Sequence, residues 1–363
     1  MSNEADPRQK LFEVAASKAA GKLLEKRDFQ GLITHLLSMK SLALLREEVA
    51  GVLGSLDLEA DDDADLMYLS LALKQVSETK GIERSKYYLE RTLKAFGAER
   101  TNGVNDLNLN RWQLYDDVLT DSLWVMPKRD SSGSHSAGYW GNYIPQIPNQ
   151  MIKRYSQKGD WVIDPFLGSG TTLIEARRLG RNSLGIELQS EVAELAASAL
   201  DADGTPDGSS KTEIHVGDSR HFNLAAKLEE LGAPKASLAM LHPPYYDIIK
   251  FSDDPADLSN ALSEKDFLSW MGDIYKNVFE ALRPGGHIVI VISDKYESGE
   301  WIPLGFRTMQ KAEDLGFQLR SIVVKNFEQT TAKRGQESLW RYRALAGGFY
   351  VFKHEYIFVM QRP

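Results

Sequence analysis

The chain has 363 residues, 42% of them hydrophobic, with 43 Lys and Arg against 51 Asp and Glu, a formal net charge of −8 and no cysteine. That length and apolar share suit one large core plus a smaller domain. The missing cysteines exclude disulfides, thiolate zinc sites and catalysis through a thiolate, and they argue against an iron–sulfur cluster, while the acidic balance counts against a nucleic-acid surface spread over the whole chain.

No run approaches the eighteen apolar residues of a membrane span, and Met1 to Lys10 is polar, without the apolar stretch of a signal peptide; a cytoplasmic protein with no membrane partner is expected. Leu11, Phe12, Ala15, Ala19 and Leu23 recur at helical spacing, as do Leu66, Leu69, Leu73 and Val76, so residues 1–100 read as a helical N-terminal domain. The acidic run Glu59 to Asp65 reads as a solvated loop and helix start. Ala98 to Asn110 reads as a linker. The aromatic segment Trp112 to Trp140 then runs through the loop Ser131-Ser132-Gly133-Ser134, so that residues 101–138 form a connecting region and 139–363 a second domain.

From Gln150 onward strands and helices alternate, which predicts an α/β fold with a mainly parallel sheet covered on both faces. Trp161-Val162-Ile163 reads as a strand, followed by the glycine turn at Gly168 and Gly170 and a helix over Leu173 to Leu179. Asn182 to Glu187, Ile214 to Val216 and Ala236 to Leu241 read as the next strands. A helix from Phe267 to Leu282 stops at Arg283-Pro284-Gly285-Gly286, His287 to Ile292 is the fifth strand, and Phe317 to Val324 and Glu355 to Met360 close a seven-stranded sheet as an antiparallel pair. Ligands of such a sheet sit at the carboxyl ends of its strands.

The string Asp164-Pro165-Phe166-Leu167-Gly168-Ser169-Gly170-Thr171-Thr172 sets an acid, an aromatic and hydroxyls around two glycines at a strand-to-helix turn. Glycine there lets a flat ligand lie on the backbone next to unpaired helix N–H groups. Together with His242-Pro243-Pro244-Tyr245, it resembles the S-adenosylmethionine-dependent DNA amino-methyltransferases, which modify N4 of cytosine or N6 of adenine. The resemblance spans about residues 139–361 and implies a Rossmann-like class I methyltransferase sheet. It implies S-adenosylmethionine as cofactor, with Asp164, Phe166, Gly168, Ser169, Gly170, Thr171 and Thr172 in its binding motif. Glu187 would accept from the ribose hydroxyls and Asp218 from the adenine amine. Gly141 to Ile152 resembles the motif that closes over the methionine end, placing Asn142, Tyr143, Ile144 and Pro145 there. This motif order excludes the permuted class in which Pro-Pro-Tyr comes first. With about twenty-four residues between Asp218 and His242, a target-recognition domain has no room in that gap. No metal is expected, since the seven histidines show no paired spacing.

An exocyclic base amine is a poor nucleophile because its lone pair is delocalised into the ring. The resemblance implies two acceptors that grip its hydrogens, the first motif side chain and the Pro243 carbonyl held by the rigid Pro243-Pro244 turn, with Tyr245 stacking on a flipped base. His242 stands where the family has Asp, Asn or Ser. A neutral imidazole accepts one hydrogen and an imidazolium none, so the chemistry requires neutral His242. The target stays open between cytosine and adenine, with a lean to cytosine.

The stretch from Arg320 to the end carries eight basic residues (Arg320, Lys325, Lys333, Arg334, Arg341, Arg343, Lys353, Arg362) against Glu328, Glu337 and Glu355, interleaved with Phe327, Trp340, Tyr342, Phe349 and Tyr350. It reads either as a phosphate- and base-contacting surface or as a hydrated loop plus a core strand. The expected function is site-specific DNA methylation in restriction–modification or phage defence, with DNA and a restriction or defence protein as partners. An RNA base methyltransferase and a catalytically inactive DNA-binding subunit are the alternatives, and the loop Tyr246 to Asn260 reads as either a closing flap or a structural wall.

Overall fold

The computed structural model describes residues 26–56, 63–135, 139, 141–204, 210–233, 235–297, 299–327 and 337–363. The helical pattern at Leu11 to Leu23, most of the acidic run after Glu59, and Lys333 and Arg334 lie outside them. Two compact units emerge, one ending at Gly103 with Leu107–Val118 added, the other comprising Val104–Asp106 and Leu119–Pro363.

The first unit holds α1 (Lys26–Ser38), α2 (Leu42–Ser55), α3 (Ala64–Ser77), α4 (Ile82–Gly97) and a 3-10 turn at Leu109–Leu114. Side chains at helical spacing, Leu66, Leu69, Leu73 and Val76 of α3, bury against Leu45, Leu89 and Phe96. Asp63 caps α3 by accepting from the Asp65 N–H at 2.8 Å. Arg111 pairs with Asp65 and lies 5.0 Å over the Phe96 ring, tying the 3-10 turn to the helices.

In the second unit the chain runs β1 (Leu123–Trp124), α5 (Gln146–Tyr155), β2 (Trp161–Asp164), α6 (Thr171–Arg178), β3 (Asn182–Glu187), α7 (Ser190–Asp203), β4 (Thr212–Val216), α8 (Leu224–Glu230) and β5 (Ala236–Leu241). It continues with α9 (Glu264–Ala281), β6 (Leu282–Ile292), the hairpin β7 (Lys295–Glu297) and β8 (Glu300–Ile302), α10 (Leu304–Asp314), β9 (Gln318–Asn326), α11 (Glu337–Gly347) and β10 (His354–Gln361). The sheet order is β1-β9-β10-β6-β5-β2-β3-β4. Only β10 runs against its neighbours; the other pairs are parallel. Among the described residues the sheet has eight strands, one more than expected, because Leu123 and Trp124 pair in parallel with Val324 and Lys325.

Strand alternation sends neighbouring side chains to opposite faces, and both faces are covered, which is why β2, β5 and β6 are apolar almost throughout. Val162, Met240 and Val291 meet Ile147 and Met151 of α5, while Ile163, Leu241 and Ile290 meet Phe267 and Ile274 of α9. From β2 the chain steps outward through β3 and β4, then returns to place β5 on the other side of β2. The carboxyl ends of β2 and β5 therefore flank a crevice at a topological switch point.

Gly185 in β3 shows how closely the glycine turn is packed. A Cβ there would lie 2.7 Å from Leu167 and 3.0 Å from Leu173, both buried. Gly185→Val is expected to destabilise the fold by about 1–3 kcal/mol through overpacking. A denaturation midpoint equal to that of the wild-type protein would show that the turn has slack.

Candidate active site

A cavity of about 1150 Å³ opens at the carboxyl ends of β2, β3, β4 and β5. Its wall includes Asn142, Tyr143, Ile144, Phe166, Gly168, Thr171, Glu187 and Asp218 together with His242, Pro243, Pro244 and Tyr245, so the two motifs recognised in the sequence share one space.

At the end of β2 the chain turns through Gly168 (φ 52°) and Gly170 (φ 85°), left-handed backbone that favours glycine, before entering α6. A Cβ on Gly168 would come within 3.2 Å of the Tyr139 ring and fill part of the cleft. Glu187, at the end of β3 and 8% exposed, accepts from the Gly168 N–H at 2.9 Å and the Gln189 N–H at 3.0 Å. Burial raises its carboxyl above the ordinary range, and those N–H bonds partly offset the rise. Each oxygen keeps a lone pair for a further donor, such as a pair of vicinal hydroxyls. The turn that a side chain would obstruct and this acceptor fit the adenosine half of S-adenosylmethionine.

Asp164, Ser169, Gly170, Thr172 and Pro145, expected in the cofactor motifs, lie outside the cavity wall. Asp164 accepts from Thr172 Oγ1 and from the Phe166 N–H at 2.9 Å, and the Tyr143 hydroxyl contacts Thr172 Oγ1, forming a buried chain that braces the turn. Pro145 precedes α5 and Gly170 precedes α6. Burial pushes Asp164 up to about 7, against the bonds from Thr172 and Phe166. A carboxyl whose folded value lies above its unfolded one stabilises the fold at low pH and loses that contribution as pH rises, here between about 4 and 7. Asp164→Asn is accordingly expected to gain stability relative to wild type on going from pH 5 to pH 8, by up to a few kcal/mol. Denaturant unfolding at both pH values checks this, and a constant difference would contradict it.

Asp218 lines the cavity but is already engaged. Arg220 Nη2 donates to it at 2.7 Å, the Arg220 N–H at 2.9 Å, and His221 Nδ1 lies 2.9 Å away. Burial acts to raise its carboxyl, yet the bonds from Arg220 and His221 outweigh this and hold it below the usual range. The Arg220 guanidinium in turn sits 4.3 Å over the Trp270 ring. This clamp depends on the fold of the turn and was not expected from the residue pattern.

His242 leaves β5 and stacks on Tyr143, centroids 4.8 Å apart at 15°. It is half-buried beside the cavity; burial pushes the imidazole down to about 4, opposed by Glu355 and aided by Lys325. Tyr245 stands edge-on to it at 5.6 Å, its hydroxyl 3.2 Å from His242 Nε2, and donates to Glu355 Oε2 at 3.0 Å. The next residue, Tyr246, has φ 55°, a conformation that costs a non-glycine residue energy and that gathers at functional sites. Lys295 Nζ lies 4.8 Å above its ring.

The segment after Tyr246 forms a wall. Asn260 Nδ2 donates to the Ser252 and Asp254 carbonyls, Ser252 to Asp257, and the Phe251 ring lies where a Cβ on Gly141 would reach it at 2.9 Å. The Ser131–Ser134 loop is tied away from the cavity wall, with the Ser134 N–H and hydroxyl donating to Asp203 and Arg178 reaching the Ser132 carbonyl.

On the far side Phe327, Trp340, Phe349, Tyr350 and Phe352 line the cavity. Tyr350 is 86% exposed, and Arg341, Arg343 and Lys353 are also exposed. The basic count of the sequence overstates this surface. Lys325 is buried against Glu355, while Arg320 bonds to Gln361 and Arg362 to the Phe279 carbonyl. Lys325 and Glu355 were missed as site residues; the available signal was a charge embedded in each of two apolar strands. Among the described residues, no helix is long and apolar enough to cross a membrane.

Comparison with known proteins matches a family described as DNA methylase over residues 74–198 and 236–363, more than half of the chain and reaching into the helical unit. The chain is similar to the Type II methyltransferase M.MthZI of Methanothermobacter thermautotrophicus, 37% identical over 25% of this chain and 24% of that protein. It is also 37% identical to the Type II methyltransferase M2.DpnII of Streptococcus pneumoniae over 27% of this chain and 40% of that one. These alignments thus span less than half of each relative's length. A crystal structure of TrmN from Thermus thermophilus overlaps 61% of this chain and 49% of its own at 18% identity, with a TM-score of 0.39.

Proposed function

Because the chain belongs to the DNA methylase family, we propose that it transfers a methyl group from S-adenosylmethionine to the exocyclic amine of cytosine or adenine in DNA. The observation that carries the reading is the single cavity shared by the glycine turn with Glu187 and by His242-Pro243-Pro244-Tyr245. The Type II names of its relatives support a place in restriction–modification or phage defence, with a restriction or defence protein as partner.

S-adenosylmethionine supplies an electrophilic methyl group when bound. In this reading Glu187 would receive the ribose hydroxyls, the Gly168 turn would hold the adenosine, and Asn142, Tyr143 and Ile144 would bound the methionine end, all of them residues of the one cavity lining. Asp218, steadied by Arg220, accepts from the adenine amine. His242, neutral down to about pH 4, offers an imidazole lone pair to one amine hydrogen. The Pro243 carbonyl takes the other, which turns the nitrogen lone pair out of the ring's conjugation. Tyr245, anchored by its hydroxyl, offers a face for a base swung out of the helix. Holding the reactants in contact is worth on the order of 7–11 kcal/mol. Tyr350 and Trp340 of the cavity lining offer an aromatic surface for the DNA strand, and Arg343, 5.3 Å over the Trp340 ring, with the exposed Arg341 and Lys353, offers cations for its phosphates.

The test is incubation of the full chain with methyl-labelled cofactor and either mixed-sequence duplex DNA or RNA, followed by nucleoside analysis. Labelled N4-methylcytosine or N6-methyladenine from DNA is expected. Label in RNA alone would transfer the activity to an RNA substrate, and label in neither would make the chain a non-catalytic subunit.

A further inference from the structure

A buried ion pair lies beneath the base pocket. Lys325 of β9 and Glu355 of β10 face each other directly across the antiparallel ladder, 6% and 8% exposed, with Nζ donating to Oε1 at 2.8 Å. Burying two charges is costly, and such a pair is weak evidence of a stabilising role on its own. This pair has a further connection. Oε2 of Glu355 accepts the Tyr245 hydroxyl, whose oxygen lies 3.2 Å from His242 Nε2, and all four side chains line the cavity. We propose that Lys325 and Glu355 are positioning residues of methyl transfer: the pair anchors Tyr245 through its hydroxyl and so fixes both the stacking face of the base pocket and the edge of His242 beside it. The inference rests on the reading of His242 and Tyr245 as the base pocket.

The chemistry follows from there being one hydroxyl proton and two acceptors. An ionised carboxylate is the stronger acceptor, so Tyr245 gives its proton to Glu355, and its oxygen then accepts from His242 in the tautomer that carries the proton on Nε2, leaving the imidazole lone pair on the other ring nitrogen. Lys325 completes the arrangement by balancing the carboxylate charge. The charged and polar groups facing His242 are then Glu355 from β10, Lys325 from β9, the Tyr245 hydroxyl from its own turn and the Gly141 backbone; the Tyr143 ring covers its face, with Asp164 and Thr172 behind. Glu355 favours a proton on His242 and Lys325 disfavours one. Removing either partner alone therefore leaves an uncompensated charge beside the imidazole, with opposite effects on its titration.

The experiment uses the full chain as wild type, Lys325→Met, Glu355→Gln and the charge-balanced double variant. Two quantities are followed: the His242 titration by NMR of histidine-labelled protein, assigned with a His242 variant, and the pH dependence of kcat on DNA. Lys325→Met is expected to move the His242 midpoint and the acid limb of kcat upward by about one pH unit or more. Glu355→Gln is expected to move the His242 midpoint down and to lower kcat about tenfold or more with the KM for cofactor unchanged, because Tyr245 loses its anionic acceptor. The double variant should bring the midpoint back toward wild type. A pair that only braced the strands would change stability and leave all four midpoints superimposed, and that result overturns the proposal, as does an unchanged kcat in Glu355→Gln. A wild-type protein that methylates nothing overturns the functional reading instead, and is told apart because the titration is read without substrate.

Discussion

His242→Ala is expected to lower kcat for methyl transfer by about 100-fold or more, the usual scale for losing one preorganised hydrogen-bonding group at a reacting centre. Its ring stacks on Tyr143, which bounds the methionine end in this reading, and its Nε2 faces Tyr245, whereas Glu187 and the Gly168 turn, which would hold the adenosine, are bonded to each other and to Gln189 rather than to it. Cofactor affinity, measured by calorimetry, should therefore stay within about threefold of wild type, a change under 1 kcal/mol. His242→Asp should retain more activity than the alanine variant, because a carboxylate also accepts an amine hydrogen. Equal kcat in wild type and His242→Ala would remove the imidazole from the chemistry. Its acid limb carries the sign as well: the folded-state value lies below that of free histidine, so activity should persist as pH falls through 6 and fail only near the His242 midpoint of about 4, provided the fold survives.

The second large effect concerns the cofactor. Glu187→Ala is expected to weaken binding of S-adenosylmethionine by about 10- to 100-fold, corresponding to loss of a charge-assisted bond worth about 1.5–3 kcal/mol. The substitution also strips the Gly168 and Gln189 N–H groups of their acceptor, loosening the turn on which the adenosine would lie. Glu187→Gln keeps the shape and one acceptor oxygen, so it should fall between wild type and alanine. Undiminished affinity in Glu187→Ala would mean that the glycine turn holds something other than a ribose.

Much of this arrangement was legible in the sequence where burial constrains residues on two sides. Asn182–Glu187 and Ala236–Leu241 match the expected strands at both ends, and Trp161–Asp164 runs one residue further, because strands covered on both faces must be continuously apolar. His242-Pro243-Pro244-Tyr245 and the glycine turn could be read because their chemistry is written in consecutive residues. What could not be read depends on partners far apart in the chain. Leu123–Trp124 is too short to show alternation and becomes a strand only by pairing with Val324 and Lys325. The β7–β8 hairpin and α11 carry too little periodicity to separate from the surrounding loop. The Lys325–Glu355 pair required the register of two strands, and the Arg220 clamp on Asp218 required the fold of a turn. Of the two readings open for Arg320 to the end, a contacting surface or a hydrated loop plus a core strand, the core strand describes Lys325, which the ladder turns inward onto Glu355.

The most direct measurement is the affinity of a bisubstrate ligand, an adenosyl cofactor analogue joined at its sulfur position through a short linker to N4 of a cytosine nucleoside or N6 of an adenine nucleoside. If the glycine turn and the Pro-Pro corner serve one reaction in one cavity, one of the two ligands should bind about 100-fold or more tightly than the cofactor half alone, since linking makes the second contact intramolecular. Tyr245→Ala should abolish that gain and leave the affinity for the cofactor half in place. Bisubstrate and cofactor halves that bind equally well would contradict the account, because the nucleobase would then have no site within reach of the methyl group.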